Sequence, residues 1–185
     1  IMDSVMHLPF TGDDYNNDLF KFDGTTLTEV PSPTGYTAAY KGYKGVPFVV
    51  GNILYLKYQG DDNNYDLFKY DGTTLTEIPS PTGFAGSTRG YSGSPIVFGT
   101  DLYLQYYGDD SNYDLFKYDG TTLTEIPSPA GYTGSGKGYR GSPIVYNSVL
   151  YLRYFGDDGN FDLFKYNGTT LTEIPSPVGY DIGSY

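Results

Sequence analysis

Two sets of side chains have the types and spacing to do chemistry, and both recur with a fixed period of 48 residues. The first is acidic. Gly-Asp-Asp stands at Gly12, Gly60, Gly108 and Gly156. It opens a turn carrying Asp61, Asp62, Asn64 and Asp66, then Asp109, Asp110, Asn112 and Asp114, then Asp157, Asp158, Asn160 and Asp162; the first copy has Asp13, Asp14, Asn16 and Asp18. Several carboxylate and amide oxygens within six residues form the donor set that Ca2+, a hard cation, collects from loops. The spacing is not that of an EF-hand. Turn chemistry competes, because Asp and Asn side chains accept from their own backbone and tolerate left-handed conformation. Two carboxylates about 4 Å apart repel by only about 1 kcal/mol in water. An exposed turn therefore requires no cation, and turn chemistry is the stronger reading. The sequence demands no other cofactor.

The second set pairs a base with an aromatic ring. Lys41-Gly-Tyr43, Arg89-Gly-Tyr91 and Lys137-Gly-Tyr139 stand at the same point of three repeats, each after a stretch rich in Gly, Ser, Thr and Tyr. Tyr36, Phe84, Tyr132 and Tyr180 add a ring after each Pro-x-Gly. An amphipathic Tyr surface with nearby donors can stack on a sugar ring and orient it. On this reading Lys41, Tyr43, Arg89, Tyr91, Lys137 and Tyr139 are the ligand-binding residues. The competing reading has these Tyr residues filling gaps between repeats while the bases neutralise the acidic turns. Catalysis is not expected. There is one His and no Cys, which excludes His-based triads and thiolates, and the repeated Asp residues sit in turns rather than in one asymmetric cleft. His7 stands where a later repeat has Tyr55, and the Asn167-Gly-Thr169 sequon replaces an Asp-Gly turn.

The elements that position these residues follow from one repeat. Pro47 to Val50 is a short apolar run ending at Gly51-Asn52, a buried strand and a turn. From Ile53 to Tyr58 the residues alternate, with Leu54, Leu56 and Tyr58 on one side. Tyr65 to Tyr70 is a third strand, Asp71-Gly72 is a strong hairpin signal, and Thr73 to Ile78 is a fourth strand closed by Pro79-Ser-Pro81. Four antiparallel strands per repeat make one blade of a β-propeller, which must bury its faces against neighbouring blades. The expected fold is an all-β propeller of four such repeats in a single domain spanning residues 1–185, with repeats at about 1–36, 37–84, 85–132 and 133–185. The chain begins at a second strand, so the tail from Tyr180 to Tyr185 is expected to supply the first blade's inner strand and close a four-bladed ring. Four blades of a larger ring is the alternative.

Composition narrows the partners. With 22 acidic and 11 basic residues the net charge is -11, which opposes nucleic acid and anionic membranes. No apolar run approaches the roughly 20 residues of a membrane helix. The opening segment IMDSVMHLPF is too short and too acidic for a signal peptide.

The run from Tyr103 to Thr121, YLQYYGDDSNYDLFKYDGT, resembles the ELWKTDGT-type tandem repeat of large bacterial secreted and surface proteins. Leu115, Phe116, Lys117, Asp119, Gly120 and Thr121 occupy the matching positions, with Pro129 and Gly131 behind them. Phe20, Phe68, Phe116 and Phe164 stand where that family carries Trp. The resemblance covers all four repeats and implies an extracellular or cell-surface propeller used for binding or adhesion; no binding residue carries over from it. The expected function is therefore a non-catalytic, lectin-like module that binds glycans or cell-surface polymers at several equivalent sites. The alternative is a structural propeller of a fibre or appendage that contacts other protein chains.

Overall fold

A computed structural model describes residues 5–177. The strands are β1 (Met6–Thr11), β2 (Asn17–Phe22), β3 (Leu27–Val30), β4 (Gly42–Val50), β5 (Ile53–Gln59), β6 (Tyr65–Tyr70), β7 (Leu75–Ile78), β8 (Gly90–Phe98), β9 (Asp101–Tyr107), β10 (Tyr113–Tyr118), β11 (Leu123–Ile126), β12 (Gly138–Tyr139), β13 (Ile144–Tyr146), β14 (Val149–Phe155), β15 (Phe161–Tyr166) and β16 (Leu171–Ile174). The chain is all-β and propeller-like, built from antiparallel four-stranded repeats. It divides into two compact units, Ile1–Tyr91 and Ser92–Tyr185. Among the described residues no helix is long and apolar enough to cross a membrane.

In the first unit β1 pairs with β2 and β2 with β3; β4 pairs with β5, β5 with β6 and β6 with β7, all antiparallel. The second unit repeats the pattern in β9 to β11 and in β13 to β16. Sequence alternation sets which side chains are buried. Leu54, Leu56 and Tyr58 of β5 join Leu19, Val30, Phe68 and Tyr70 in the first unit's core. Leu150, Leu152 and Tyr154 of β14 join Leu115, Ile126, Phe164 and Tyr166 in the second.

The Asp-Gly turns close as expected. Asp71 Oδ1 accepts from the backbone N–H of Thr73 at 2.9 Å and of Thr74 at 2.7 Å, and from Thr73 Oγ1 at 2.7 Å. Gly72 supplies the positive φ of 98° that the turn requires. The Tyr70 hydroxyl then clamps the turn by donating to the Gly72 carbonyl at 2.6 Å. Asn167 makes the same three contacts, to Thr169 N, Thr169 Oγ1 and Thr170 N, so the sequon is occupied by turn chemistry.

The inner strands begin earlier than the sequence suggests. β4 starts at Gly42 rather than near Val46, and β8 starts at Gly90. The cause is a single parallel bridge between successive repeats: Asn17 to Gly42, Tyr65 to Gly90 and Tyr113 to Gly138. The backbones approach so closely there that a Cβ on Gly90 would stand 2.1 Å from the Tyr65 carbonyl oxygen, and one on Gly138 would stand 2.2 Å from that of Tyr113. Only glycine fits. Among the described residues the first repeat contributes three strands, and the fourth repeat's inner strand is interrupted between Tyr139 and Ile144. The tail from Tyr180 to Tyr185, expected to close the ring, lies outside the described residues.

Candidate functional site

The bridge relocates one predicted site. Tyr43, Tyr91 and Tyr139 are the second residues of inner strands, not loop residues, and they are only 2%, 3% and 2% exposed. Tyr43 meets Tyr58 edge-on at 5.9 Å and Tyr139 meets Tyr154 at 5.8 Å. Rings at that burial offer no face to a sugar, so the expected stacking platform is corrected to core packing. Burial raises the pKa of all three hydroxyls. The bases also serve local contacts. The Lys41 ammonium donates to Asn63 Oδ1. Lys137 Nζ sits 3.8 Å above the Phe155 ring, and the Arg140 guanidinium 4.5 Å above Tyr113, both attractive cation–ring arrangements.

The acidic turns distribute their carboxylates over separate tasks. Asp14, Asp62, Asp110 and Asp158 each accept from the backbone N–H two residues on, at 2.9–3.0 Å. Asp61 and Asp157 accept from the N–H of Ala38 and Gly134, both at 2.8 Å, and so hold the incoming linker. Asp66 and Asp162 accept from the hydroxyls of Tyr36 and Tyr132 at 2.9 and 2.8 Å, which explains the ring after Pro-x-Gly. Burial raises the pKa of Asp66, and the Tyr36 hydrogen bond partly opposes this. Burial, with Glu125 and Asp110 nearby, pushes Asp114 up to about 6. Among the described residues no group of three or more His, Cys, Asp or Glu stands where it could hold a metal ion.

The concave surface with ligand-like chemistry lies elsewhere. In the first unit a cleft of about 340 Å³ opens between successive repeats, lined by Lys21, Thr28, Glu29, Val30 and Pro31 of one and by Tyr70, Thr73, Thr74 and Leu75 of the next. The second unit contains its equivalent, about 530 Å³, lined by Lys117, Thr124, Glu125, Ile126 and Pro127 against Tyr166, Thr169, Thr170 and Leu171. Both volumes fall in the roughly 300–1,000 Å³ range of small-ligand sites. Each cleft is lined by apolar groups, namely Val or Ile, Pro, Leu and a Tyr ring, together with an ammonium, a carboxylate and three Thr side chains. The Tyr hydroxyl is already committed to its turn, at Gly72 or Gly168, so the ring is held rigidly. Lys117 is also held 3.6 Å from Asp101. Such a cleft can accept the apolar C–H face of a ligand while exchanging hydrogen bonds with its hydroxyl groups. A further hollow of about 240 Å³ adjoins the first cleft and shares Lys21 and Thr28 with it; His7, Asp23 and Gly72 are among its other walls. His7 pairs with Lys21 as Tyr55 pairs with Lys69, and meets Tyr70 edge-on at 5.8 Å. It occupies the aromatic position expected of it, and burial lowers its pKa.

Sequence reasoning missed these clefts because TTLTEI reads simply as an outer strand. Its polar side chains, Thr28 and Glu29 or Thr124 and Glu125, are identical between the two sites. That repetition at exposed positions was the available signal.

No family model matches this chain, and neither does any curated protein. Solved structures resemble it in fold. AofleA of Arthrobotrys oligospora has a TM-score of 0.50 at 10% identity, over 94% of this chain and 53% of that one. The fucose-recognising six-bladed β-propeller lectin of Aleuria aurantia has a TM-score of 0.46 at 13% identity, over 93% of this chain and 61% of the lectin. An α-L-arabinofuranosidase of Clostridium thermocellum has a TM-score of 0.47 at 13% identity, over 95% of this chain and 70% of the enzyme. This chain thus spans little more than half the length of the first two.

Proposed function

We propose that this chain is a non-catalytic glycan-binding module of propeller type that engages saccharides in the clefts between its repeats. One observation carries the reading: among the described residues the same cleft, with the same Lys, Thr, Glu, Tyr and Thr-Thr lining, recurs in both compact units. The lining sets charged and hydroxyl groups beside apolar ones, the mixture that suits a saccharide. Repetition of a weak site suits avidity toward a polyvalent surface. The resemblance to ELWKTDGT-type repeats agrees with a cell-surface or secreted setting in bacteria.

A glycan array probed with the purified chain, in calcium and again in EDTA, tests the reading. Binding is expected in both, and Lys117→Ala/Glu125→Ala is expected to remove the second unit's cleft site and weaken binding to a polyvalent surface about tenfold or more. Silence on the array, or full binding by a variant with both clefts altered, would sink the cleft assignment. Binding that vanishes in EDTA would move the site to the Asp turns.

A second reading rests on different residues. Val46 in β4 is 90% exposed, and Ile144 and Tyr146 in β13 are each 63% exposed. Apolar inner-strand residues open to solvent favour assembly with other protein chains. That reading predicts self-association in sedimentation experiments, abolished by Ile144→Asp/Tyr146→Asp.

A further inference from the structure

The boundary between the first two repeats differs from the next two boundaries at one contacting pair of positions. Where the second boundary has Asn63 against Thr88, and the third has Ser111 against Gly136, the first has Tyr15 against Tyr40. The backbone does the same thing in all three. Tyr40 N–H donates to the Tyr15 carbonyl at 2.8 Å, Thr88 to Asn63 at 3.0 Å, and Gly136 to Ser111 at 2.7 Å. All six residues are left-handed, with φ from 61° to 76°. The turn thus forms without aromatic side chains, and bulky residues are poorly suited to left-handed backbone. The two rings stack face to face, 5.4 Å apart and 23° from parallel, yet remain 58% and 66% exposed. Each ring therefore covers one face of the other and leaves its outer face to water.

A donor stands beside the pair: Lys44 Nζ donates to the Tyr40 carbonyl at 2.8 Å. An ammonium has three N–H groups, so Lys44 keeps capacity for an incoming acceptor. A protein partner would need roughly 800 Å² of surface, far more than two rings provide. An anionic membrane is opposed by the net charge of -11. A ligand about the size of one ring, with an apolar face and a hydroxylated edge, fits both features.

We infer that Tyr15 and Tyr40 form a saccharide-stacking platform on which a terminal pyranose lies against a Tyr face while Lys44 donates to its hydroxyl oxygens. The ligand class rests on the glycan reading above, but the site is separate from the clefts.

The test uses the full chain with the best-binding array glycan and follows ring signals of 13C-labelled tyrosine by NMR. Titration is expected to shift Tyr15 and Tyr40, and Tyr15→Asn/Tyr40→Thr, which copies the second repeat, is expected to weaken binding of that glycan about tenfold. Tyr15→Phe/Tyr40→Phe keeps the rings and should stay within about twofold of the parent, the scale of one exposed hydrogen bond lost at most. Unmoved Tyr15 and Tyr40 signals during saturation, or undiminished affinity in the Asn/Thr variant, overturn the platform while leaving cleft binding standing. Undiminished affinity in a variant with both clefts altered, with intact Tyr15 and Tyr40 shifts, would instead sink the clefts and spare the platform. A chain silent toward every arrayed glycan overturns both.

Discussion

At the scale of single residues, hydroxyl groups separate the tyrosines into two kinds. Tyr70, Tyr118 and Tyr166 each donate to the carbonyl of a turn glycine at 2.6–2.8 Å. Tyr43 and Tyr139 bury their hydroxyl oxygens with no hydrogen-bond partner among the described residues. A buried hydroxyl without a partner costs desolvation and returns nothing, so deleting it is cheap. Tyr139→Phe is therefore expected to leave thermal stability unchanged or raise it by about 1 kcal/mol, and to leave glycan binding unaffected. Tyr70→Phe should lower stability by about 1 kcal/mol, because it removes a made bond and orphans a carbonyl. Thermal melts of the two variants decide this, and equal losses would show that the Tyr139 hydroxyl has a partner. The Asp turns offer a parallel contrast. Asn167 already performs the acceptor role of Asp71, so Asp71→Asn is expected to keep the melting temperature at pH 7, whereas Asp71→Ala lowers it.

At the scale of elements, the parallel bridge at each repeat boundary decides what a glycine is for. A Cβ at Gly24 would meet nothing within 4 Å, although φ is +100°; a Cβ at Gly90 would meet the Tyr65 carbonyl oxygen at 2.1 Å with φ +94°. Gly24→Ala thus costs only left-handed strain, about 1–2 kcal/mol. Gly90→Ala adds a backbone collision and is expected to cost about 3 kcal/mol or more. Denaturant melts should rank them in that order, and similar values would mean that the bridge yields easily. The bridge also marks where the sequence ceased to be legible. Alternation, Asp-Gly and the 48-residue period revealed four strands per repeat, because those signals act between near neighbours. Lys41-Gly-Tyr43 looked like loop, because a glycine preceding a tyrosine carries no local sign that another repeat's backbone lies against it. The mistake propagated to function, since a Tyr in a strand is directed into the core. The clefts were illegible for the converse reason: they are formed by side chains a whole repeat apart, such as Lys21 and Tyr70, whose proximity belongs to packing.

At the scale of the whole chain, the excess of carboxylates sets how stability responds to acid, and two populations pull oppositely. Asp23, Asp71 and Asp119 accept backbone N–H groups of the following Thr residues and are held down to about 2. Their contribution is complete above the unfolded carboxylate value, near 4, and is lost as pH falls from there toward 2. Asp114 behaves in reverse, since burial and its neighbours raise it to about 6. Between pH 4 and 6 the folded chain holds this proton more tightly than the unfolded chain does, so stability falls as pH rises through that window. The same direction holds for Asp66 and Glu77, both raised chiefly by burial. Relief of repulsion within a chain of net charge -11 acts with them on acidification. The melting temperature is therefore expected to climb as pH falls from 7 to about 5, then to drop below pH 4. Asp114→Asn separates the local cause from the global one. It removes a buried charge at pH 7 and should raise the melting temperature there, flattening the climb by about 1–2 kcal/mol after solvent screening. A climb that persists undiminished in Asp114→Asn would assign the effect to net charge, and stability falling steadily from pH 7 downward would show that Asp114 ionises freely in the folded chain.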